Sequence, residues 1–269
     1  MGIPYAEVIG DPIAHSKSPL IHKFWLERLG IEADYRRTRV QPGELRSYLA
    51  ERWVDPDWRG CNVTMPLKVE IALLLDSVDP AARRIGAVNT VVRQEVRLAG
   101  MNTDWIGLHL ALGDHGAGGR DVVLIGAGGA ARAALEELRQ AKPRSLVILN
   151  RDPAKAAGLL ADFGLDGEAR PLGTLPAADL LINASALGME DHPPLEIDLR
   201  NLRADAIIFD MVYHPLDTAL LRQARALGLT AIDGLQMLVA QAAMAFQYFF
   251  KASPPEPFDG PELRRLLTQ

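Results

Sequence analysis

The stretch that most constrains this 269-residue chain runs from Asp121 to Leu135. Four apolar residues at 122–125 lead into Gly126-Ala127-Gly128-Gly129, and an alanine-rich run follows. A short apolar run that ends in glycines predicts a buried strand and a tight turn, and the alanines after it predict a helix. Strand, turn and helix in this order indicate a parallel α/β sheet.

The turn matches the G-x-G-x-x-G/A dinucleotide fingerprint, with Gly126, Gly128 and Ala131 at the three small positions. Free N–H groups at the start of the next helix would hold phosphates. By itself the match is equally typical of a plain strand-to-helix corner. A second apolar strand at 146–149 strengthens it, because Asn150-Arg151 then stand where a ribose-reading residue is expected.

Composition excludes several classes of protein. A net charge of −5 and a pI near 5.7 give no electrostatic footprint for nucleic acid or an acidic membrane. The single cysteine, Cys61, excludes an intramolecular disulfide, and with six dispersed histidines it predicts no metal site. No apolar run is long enough to span a bilayer, and no secretory signal is visible. We therefore expect a cytoplasmic protein.

The chain divides by pattern into two parts. Residues 1–104 alternate short strands and helices, with a helix expected at 67–75. The part after residue 104 starts with a helix and continues as a regular series of strands and helices, which predicts a parallel sheet covered on both faces. Its strands are expected at 122–125, 146–149, 179–183, 206–210 and 229–232. The last helix, at 235–250, is apolar on most sides and is expected to be buried, and the proline-rich tail at 253–257 is expected to be extended.

Ser16 and Ser18 stand just before a helix that Pro19 begins. One interpretation is structural, with Ser18 as the helix N-cap and Ser16 as an ordinary loop residue. The other interpretation is functional, with both hydroxyls directed at an anionic or polyol ligand at the helix N-terminus.

Lys68 follows Thr64 at a corner between a strand and a helical turn. A lysine in a first turn stands at the wrong end of the helix dipole to stabilise it, which suggests a use in chemistry. In a partly desolvated cleft its ammonium can act as a general acid or base. Asn102-Thr103-Asp104 is either a plain helix start or the source of a carboxylate that orients this ammonium and a polyhydroxy substrate.

Taken in order, these blocks resemble the shikimate dehydrogenase family over nearly the whole chain. The matching blocks are 10–19, 62–68, 86–90, 102–104, 126–130, 150–151, 183–185, 211–215 and 234–242. The resemblance implies an α/β protein of two domains. A mixed-sheet substrate-binding domain at 1–104 would be completed by 235–269, with the last helix returning to it. A Rossmann-like, parallel-sheet domain would occupy 105–234.

The resemblance also implies roles for individual residues. Lys68 would transfer the proton, paired with Asp104. The substrate-binding residues would be Ser16, Ser18 and Tyr213 for a carboxylate, and Thr64, Asn89, Asp104 and Gln241 for ring hydroxyls. The NADP-binding residues would be Gly126, Ala127, Gly128, Gly129, Ala130, Asn150, Arg151, Lys155, Met211 and Gly234.

The implied activity is the reversible, NADPH-dependent reduction of 3-dehydroshikimate. The alternatives are an enzyme that also accepts quinate, a paralogue with another ring substrate, and a nucleotide sensor without turnover. Arg151 favours NADP over NAD. Asp152 could repel a 2′-phosphate or cap the helix that follows, and the helix start at Pro153 favours capping. We expect small-molecule partners alone, with no nucleic acid or membrane, and a monomer or homodimer.

Overall fold

The computed structural model describes residues 2–269, which form two compact units. The first unit extends to Thr103 and is completed by Val239–Gln269, and the second is Asp104–Leu238. The first boundary between the units, after Thr103, lies one residue before the predicted boundary at residue 104. The second boundary, after Leu238, lies four residues beyond the predicted boundary at residue 234.

The first unit is built on a six-stranded mixed sheet. Its strands are β1 (Tyr5–Gly10), β2 (Asp34–Arg39), β3 (Trp58–Val63), β4 (Ser77–Val78), β5 (Thr90–Gln94) and β6 (Arg97–Met101). Their spatial order is β2-β1-β3-β5-β6-β4, in which β1 is parallel to β2 and β3 while β5 is antiparallel to β3 and β6. The helices of this part are α1 (Ser18–Leu29), α2 (Leu45–Val54) and α3 (Pro80–Ile85).

The second unit is built on a six-stranded sheet in which every pairing is parallel. Its strands are β7 (Asp121–Ile125), β8 (Ser145–Asn150), β9 (Glu168–Pro171), β10 (Leu180–Asn183), β11 (Ile207–Asp210) and β12 (Thr230–Asp233), in the order β12-β11-β10-β7-β8-β9. Helix α4 (Asp104–Leu112) precedes the sheet, and the helices between its strands are α5 (Gly129–Ala141), α6 (Pro153–Phe163) and α7 (Ala219–Ala226). The predicted α/β class, with one mixed and one parallel sheet, is confirmed.

The last long helix, α8 (Gly234–Phe250), returns to the first sheet, as predicted. Ala245 and Phe249 belong to the same buried cluster as Ala6 and Val8 of β1. Helix α8 is apolar on most sides because it is covered where it lies on the sheet.

One expectation about a helix is wrong. The segment 67–75 forms only turns and a 3-10 helix at Ile71–Leu74, because the chain must leave the helical path to pair Ser77–Val78 with β6. Residues 253–257 lie outside any helix, and the chain then ends in helix α9 (Pro261–Leu267), which was not predicted and whose Leu263 and Leu267 are buried. Within residues 2–269, no helix is both long and apolar enough to cross a membrane.

Candidate active site

One edge of the first sheet collects most of the polar residues singled out in the sequence. Strands β1 and β3 run parallel and end there, Ile9 beside Val63. Strand β5 begins at the same edge because it is antiparallel to β3, with Thr90 opposite Asn62. Strand β6, antiparallel to β5, ends there again. The loops that carry the serines, Thr64, Lys68, Asn89 and Thr103 therefore meet at one edge.

The structure places Ser18 inside α1 rather than at its N-cap, and the Ser16 hydroxyl accepts from the Ser18 N–H at 3.4 Å. The residue at the N-cap of α1 is Lys17, without a side-chain cap, so the expectation that Ser18 caps this helix is wrong. Ser18 is instead the first helical residue, and its Oγ lies 3.3 Å from Ser16 Oγ. Arg37 holds this loop by donating to the Ser16 carbonyl from Nε and Nη2, at 3.1 and 2.7 Å. Two adjacent hydroxyls at a helix N-terminus suit a carboxylate.

Backbone hydrogen bonds fix the segment that carries Thr64 and Lys68. The Thr64 N–H donates to the Ile9 carbonyl at 2.9 Å, which ties this corner to the end of β1. The Lys68 carbonyl accepts from the Val88 N–H at 2.8 Å. Lys68 is therefore anchored to the residue before Asn89, and its side chain is partly exposed.

Asn89 and Gln241 come together around Thr103, although 152 positions separate them along the chain. The Thr103 hydroxyl lies 3.3 Å from Gln241 Oε1, and the Thr103 N–H donates to Asn89 Oδ1 at 2.7 Å. All three residues are buried. Thr103, with Thr90 and Asn62 beside it, was not assigned a role from the sequence, where nothing distinguishes a network threonine from a structural one.

In the second unit, the turn after β7 has the shape that the fingerprint predicts. Gly126 has φ +109°, and a Cβ there would lie 2.9 Å from the Ala184 carbonyl oxygen, so only glycine fits. Gly128 is the N-cap of α5, which begins at Gly129. A Cβ built on Gly128 or Gly129 would meet nothing within 4 Å. The N-terminus of α5 thus has open space beside it, which fits a pyrophosphate.

At the end of β8, Asp152 is a helix cap, as the sequence predicted. Its carboxylate accepts from the N–H groups of Ala154 and Lys155 and forms the N-cap of α6. Asn150 Nδ2 donates to the Asp152 carbonyl at 2.9 Å. The side chains of Arg151 and Lys155 are exposed at this end of the sheet.

The loop after β11 is held by Asp210, a fully buried carboxyl that sequence reasoning missed. Asp210 accepts from Thr218 Oγ1 at 2.6 Å, from Asn183 Nδ2 at 2.9 Å and from the Val212 N–H at 3.1 Å. Burial raises the pKa of Asp210, and these donors oppose that rise. The network fixes the start of the loop that carries Met211.

Gly234 and Tyr213 complete the predicted set in this unit. A Cβ on Gly234 would lie 2.5 Å from the Met211 carbonyl oxygen, so the close approach of these two segments requires glycine. Tyr213 is 43% exposed, so its ring is accessible to a ligand. Asp104 is the first residue of α4 and is counted with this unit.

Of the predicted site residues, the structure brings the serine pair, Thr64, Lys68, Asn89 and Gln241 together within the first unit. The glycine turn, the residues after β8 and the 211–213 loop gather at the carboxyl ends of the strands in the second unit. Dinucleotides bind at that end of such sheets. Within residues 2–269, no group of three or more His, Cys, Asp or Glu side chains is arranged to hold a metal ion.

Two family models match the chain. Residues 8–91 match the model described as the shikimate dehydrogenase substrate binding domain. Residues 111–188 match the model described as shikimate / quinate 5-dehydrogenase. The two matches fall on the first and second units, respectively.

Curated relatives and solved structures extend the similarity to the full chain. A shikimate dehydrogenase (NADP(+)) of Sphingopyxis alaskensis is 54% identical over 267 residues, covering 98% of this chain and 97% of that protein. Shikimate 5-dehydrogenase of Thermus thermophilus, solved with NADP(H) and shikimate, is 38% identical with a TM-score of 0.87, covering 98% of this chain and 99% of that one. Ligand-free 5-ketofructose reductase of Gluconobacter is 30% identical with a TM-score of 0.91, covering 99% of each chain.

Proposed function

This chain belongs to the shikimate dehydrogenase family, and we propose that it catalyses the reversible, NADP-dependent reduction of 3-dehydroshikimate to shikimate. That reaction is a step of chorismate and aromatic amino acid biosynthesis. The observation that carries the proposal is the edge of the first sheet, where two serine hydroxyls, a lysine and two amides meet. To reduce a cyclohexene carboxylate, a site needs groups that bind the carboxylate, a proton donor, and groups that bind the ring hydroxyls.

In this proposal the Ser16 and Ser18 hydroxyls bind the substrate carboxylate, helped by the Tyr213 hydroxyl. Their 3.3 Å spacing suits two oxygens of one carboxylate. Thr64, Asn89 and Gln241 bind the ring hydroxyls, so that the C3 carbonyl is held in one orientation. Fixing the ring in this way removes the entropy cost of alignment before the chemical step.

Lys68 is the proposed proton donor. NADPH, when bound, supplies the hydride for C3. Negative charge then develops on the C3 oxygen, and the Lys68 ammonium transfers a proton from Nζ to that oxygen. In the reverse direction neutral Lys68 accepts the hydroxyl proton. The proposed role of the Asp104 carboxylate is to orient this ammonium.

NADP rather than NAD is the proposed cofactor, because the residues after β8 supply cationic side chains and no carboxylate available to bind the ribose hydroxyls. The guanidinium of Arg151 and the ammonium of Lys155 suit a 2′-phosphate. The Asp152 carboxylate is directed to the N–H groups of its own helix, which leaves it poorly placed to repel that phosphate. Residues 126–130 would hold the pyrophosphate, and backbone groups of Met211 and Gly234 would line the nicotinamide.

Initial rates test the proposal directly. The purified protein is assayed for oxidation of shikimate and quinate, and for reduction of 5-ketofructose, each with the NADP and the NAD form of the cofactor. We expect kcat/KM to be highest for shikimate with NADP. A higher value for quinate or 5-ketofructose would assign another ring or polyol substrate, and reduced-cofactor binding without turnover would indicate a sensor.

Replacing Lys68 tests the mechanism. Lys68→Ala should lower kcat by ~10² to 10⁴-fold, the usual range for a positioned acid–base group, while KM for NADP changes little. Lys23→Ala is the matched control, because Lys23 lies on the outside of α1 in an exposed ion pair with Asp34. A rise in KM for shikimate with an unchanged kcat would make Lys68 a binding residue instead.

The proposed partners are these small molecules alone. The proposed location is the cytoplasm, and the proposed assembly is a monomer or a homodimer. Sedimentation velocity distinguishes the two assemblies.

A further inference from the structure

A chain of buried hydrogen bonds crosses the first unit from Tyr35 to Gln241. Its members are Tyr35, Asn62, Thr90, Asn89, Thr103 and Gln241, and each is at most 9% exposed. The proposed function uses only Asn89 and Gln241 of this set. Burying the other four costs free energy unless hydrogen bonds compensate for it.

Backbone groups fix the orientation of two amides in this chain, because an N–H can only donate and a carbonyl can only accept. The Thr103 N–H donates to Asn89 at 2.7 Å, so the atom it meets must be Oδ1. The Asn89 carbonyl accepts from Asn62 at 3.2 Å, so the atom that it meets must be Nδ2. Neither amide can be reversed without placing two donors or two acceptors face to face.

The directions of the hydroxyl bonds follow from these two fixed points. Tyr35 must donate to Asn62 Oδ1, at 2.6 Å, and burial raises the pKa of Tyr35 well above its ordinary value, so the hydroxyl keeps its proton. Asn62 Nδ2 donates to Thr90 Oγ1 at 3.0 Å. The Thr90 proton is then directed to Asn89 Oδ1, at 2.9 Å.

The last step reaches Gln241. Asn89 Oδ1 already accepts from the Thr103 N–H and the Thr90 hydroxyl, which fills the two lone pairs of a carboxamide oxygen. The Thr103 hydroxyl accepts from Asn89 Nδ2 at 3.1 Å, and it lies 3.2 Å from Asn89 Oδ1 and 3.3 Å from both Thr90 Oγ1 and Gln241 Oε1. The Thr90 hydroxyl already accepts from Asn62 Nδ2, and the single Thr103 proton is directed to Gln241 Oε1, which faces Thr103.

We infer that Thr103 is a positioning residue that holds Gln241 with its carbonyl oxygen inward, so that Gln241 meets the substrate as an N–H donor. The inference rests on the proposed function, since it concerns how ring hydroxyls are bound. It makes the site selective for a ligand atom that can accept a hydrogen bond from Gln241. Thr103 itself is fully buried and acts through its neighbours.

Thr103→Val tests this, because valine keeps the shape and the backbone N–H but loses the hydroxyl. We expect KM for shikimate to rise about fivefold to tenfold, the effect of one hydrogen bond between uncharged groups, with KM for NADP within about twofold. Thr103→Ser should restore the wild-type KM. Thr38→Val is the control for losing a threonine hydroxyl, because Thr38 bonds to Glu7 away from this network.

A double-mutant cycle with Gln241→Met separates positioning from general stability. If Thr103 acts through Gln241, Thr103→Val should have less than about a twofold effect on KM in the Gln241→Met background. An undiminished effect there, or equal rises in KM for shikimate and NADP, would overturn the inference. So would an unchanged KM in Thr103→Val while the wild-type enzyme turns over shikimate. Absence of turnover by the wild type would instead refute the proposed function.

Gln241→Glu gives a second test that does not depend on a Thr103 variant folding. The glutamate keeps an oxygen for the Thr103 hydroxyl but replaces the N–H₂ group with an acceptor. We expect KM for shikimate to rise by about tenfold or more, because the ligand loses a donor. Retained affinity would mean that Gln241 meets the ligand through its oxygen, which contradicts the inference.

Discussion

His22 makes the stability of the first unit depend on pH, and the size of the effect can be worked out from its surroundings. The imidazole is fully buried, and neither ring nitrogen has a hydrogen-bond partner. It stacks on Tyr35 with ring centroids 3.9 Å apart, and the rings of Trp25, Phe246 and Phe249 surround it. Because this aromatic pocket cannot solvate a cation, burial lowers the pKa of His22 from 6.5 to about 3.

The sign of the effect follows from linkage. The unfolded chain takes up the proton near pH 6.5, whereas the folded chain takes it up only near pH 3, so folding is penalised as the pH falls. Between about pH 7.5 and pH 5.0, His22 should lower the free energy of unfolding by about 2 kcal/mol. Each further unit down to the folded pKa should cost about 1.4 kcal/mol more.

Urea unfolding of wild type, His22→Phe and His22→Leu at about pH 7.5 and pH 5.0 measures this contribution. Tryptophan fluorescence is a suitable probe, because Trp25, Trp53 and Trp58 all lie in the first unit. The two variants will differ from each other in packing, but both lack the titrating group. Each should therefore gain about 2 kcal/mol relative to wild type when the pH is lowered. A difference from wild type that stays constant across this range would refute the reasoning.

Three further predictions concern the candidate site. Ser16→Ala and Ser18→Ala should each raise the Kd for shikimate roughly tenfold to a hundredfold, because each removes a hydrogen bond to a charged group. Calorimetry measures this Kd, and an unchanged value in both variants would mean that the two serines are ordinary loop residues. Arg151→Ala should raise KM for NADP by about tenfold or more while leaving KM for NAD nearly unchanged, and a parallel rise for both cofactors would contradict the 2′-phosphate assignment. Asp152→Ala should lower the free energy of unfolding by about 1 kcal/mol, because α6 loses its N-cap, and should leave KM for NADP unchanged. A lower KM for NADP would show that the carboxylate repels the phosphate.

The sequence by itself determined the class of fold and the order of its parts. The glycine cluster after an apolar strand requires the turn that Gly126 makes at φ +109°, because no other residue fits there. The regular alternation after residue 104 predicted a parallel sheet, since such strands need helical crossovers. These features are local, so they can be seen in a single sequence.

The tertiary structure decided what each polar residue does. Ser18 follows a pattern typical of an N-cap, yet Lys17 takes that place and leaves the Ser18 hydroxyl beside Ser16. The segment 67–75 has a helical pattern, but pairing of the next residues with β6 ends it after a short 3-10 turn. In both cases a contact with a distant part of the chain overrides the local preference.

The orientation of the Gln241 amide shows most clearly what the sequence alone does not determine. It depends on Thr103, which in turn depends on Asn89 and Thr90, and Gln241 comes from a helix at the far end of the chain. Residue types and spacings indicate that an amide is present, but they do not indicate which of its two atoms faces a ligand. That choice follows from donors and acceptors that only folding brings within hydrogen-bond distance.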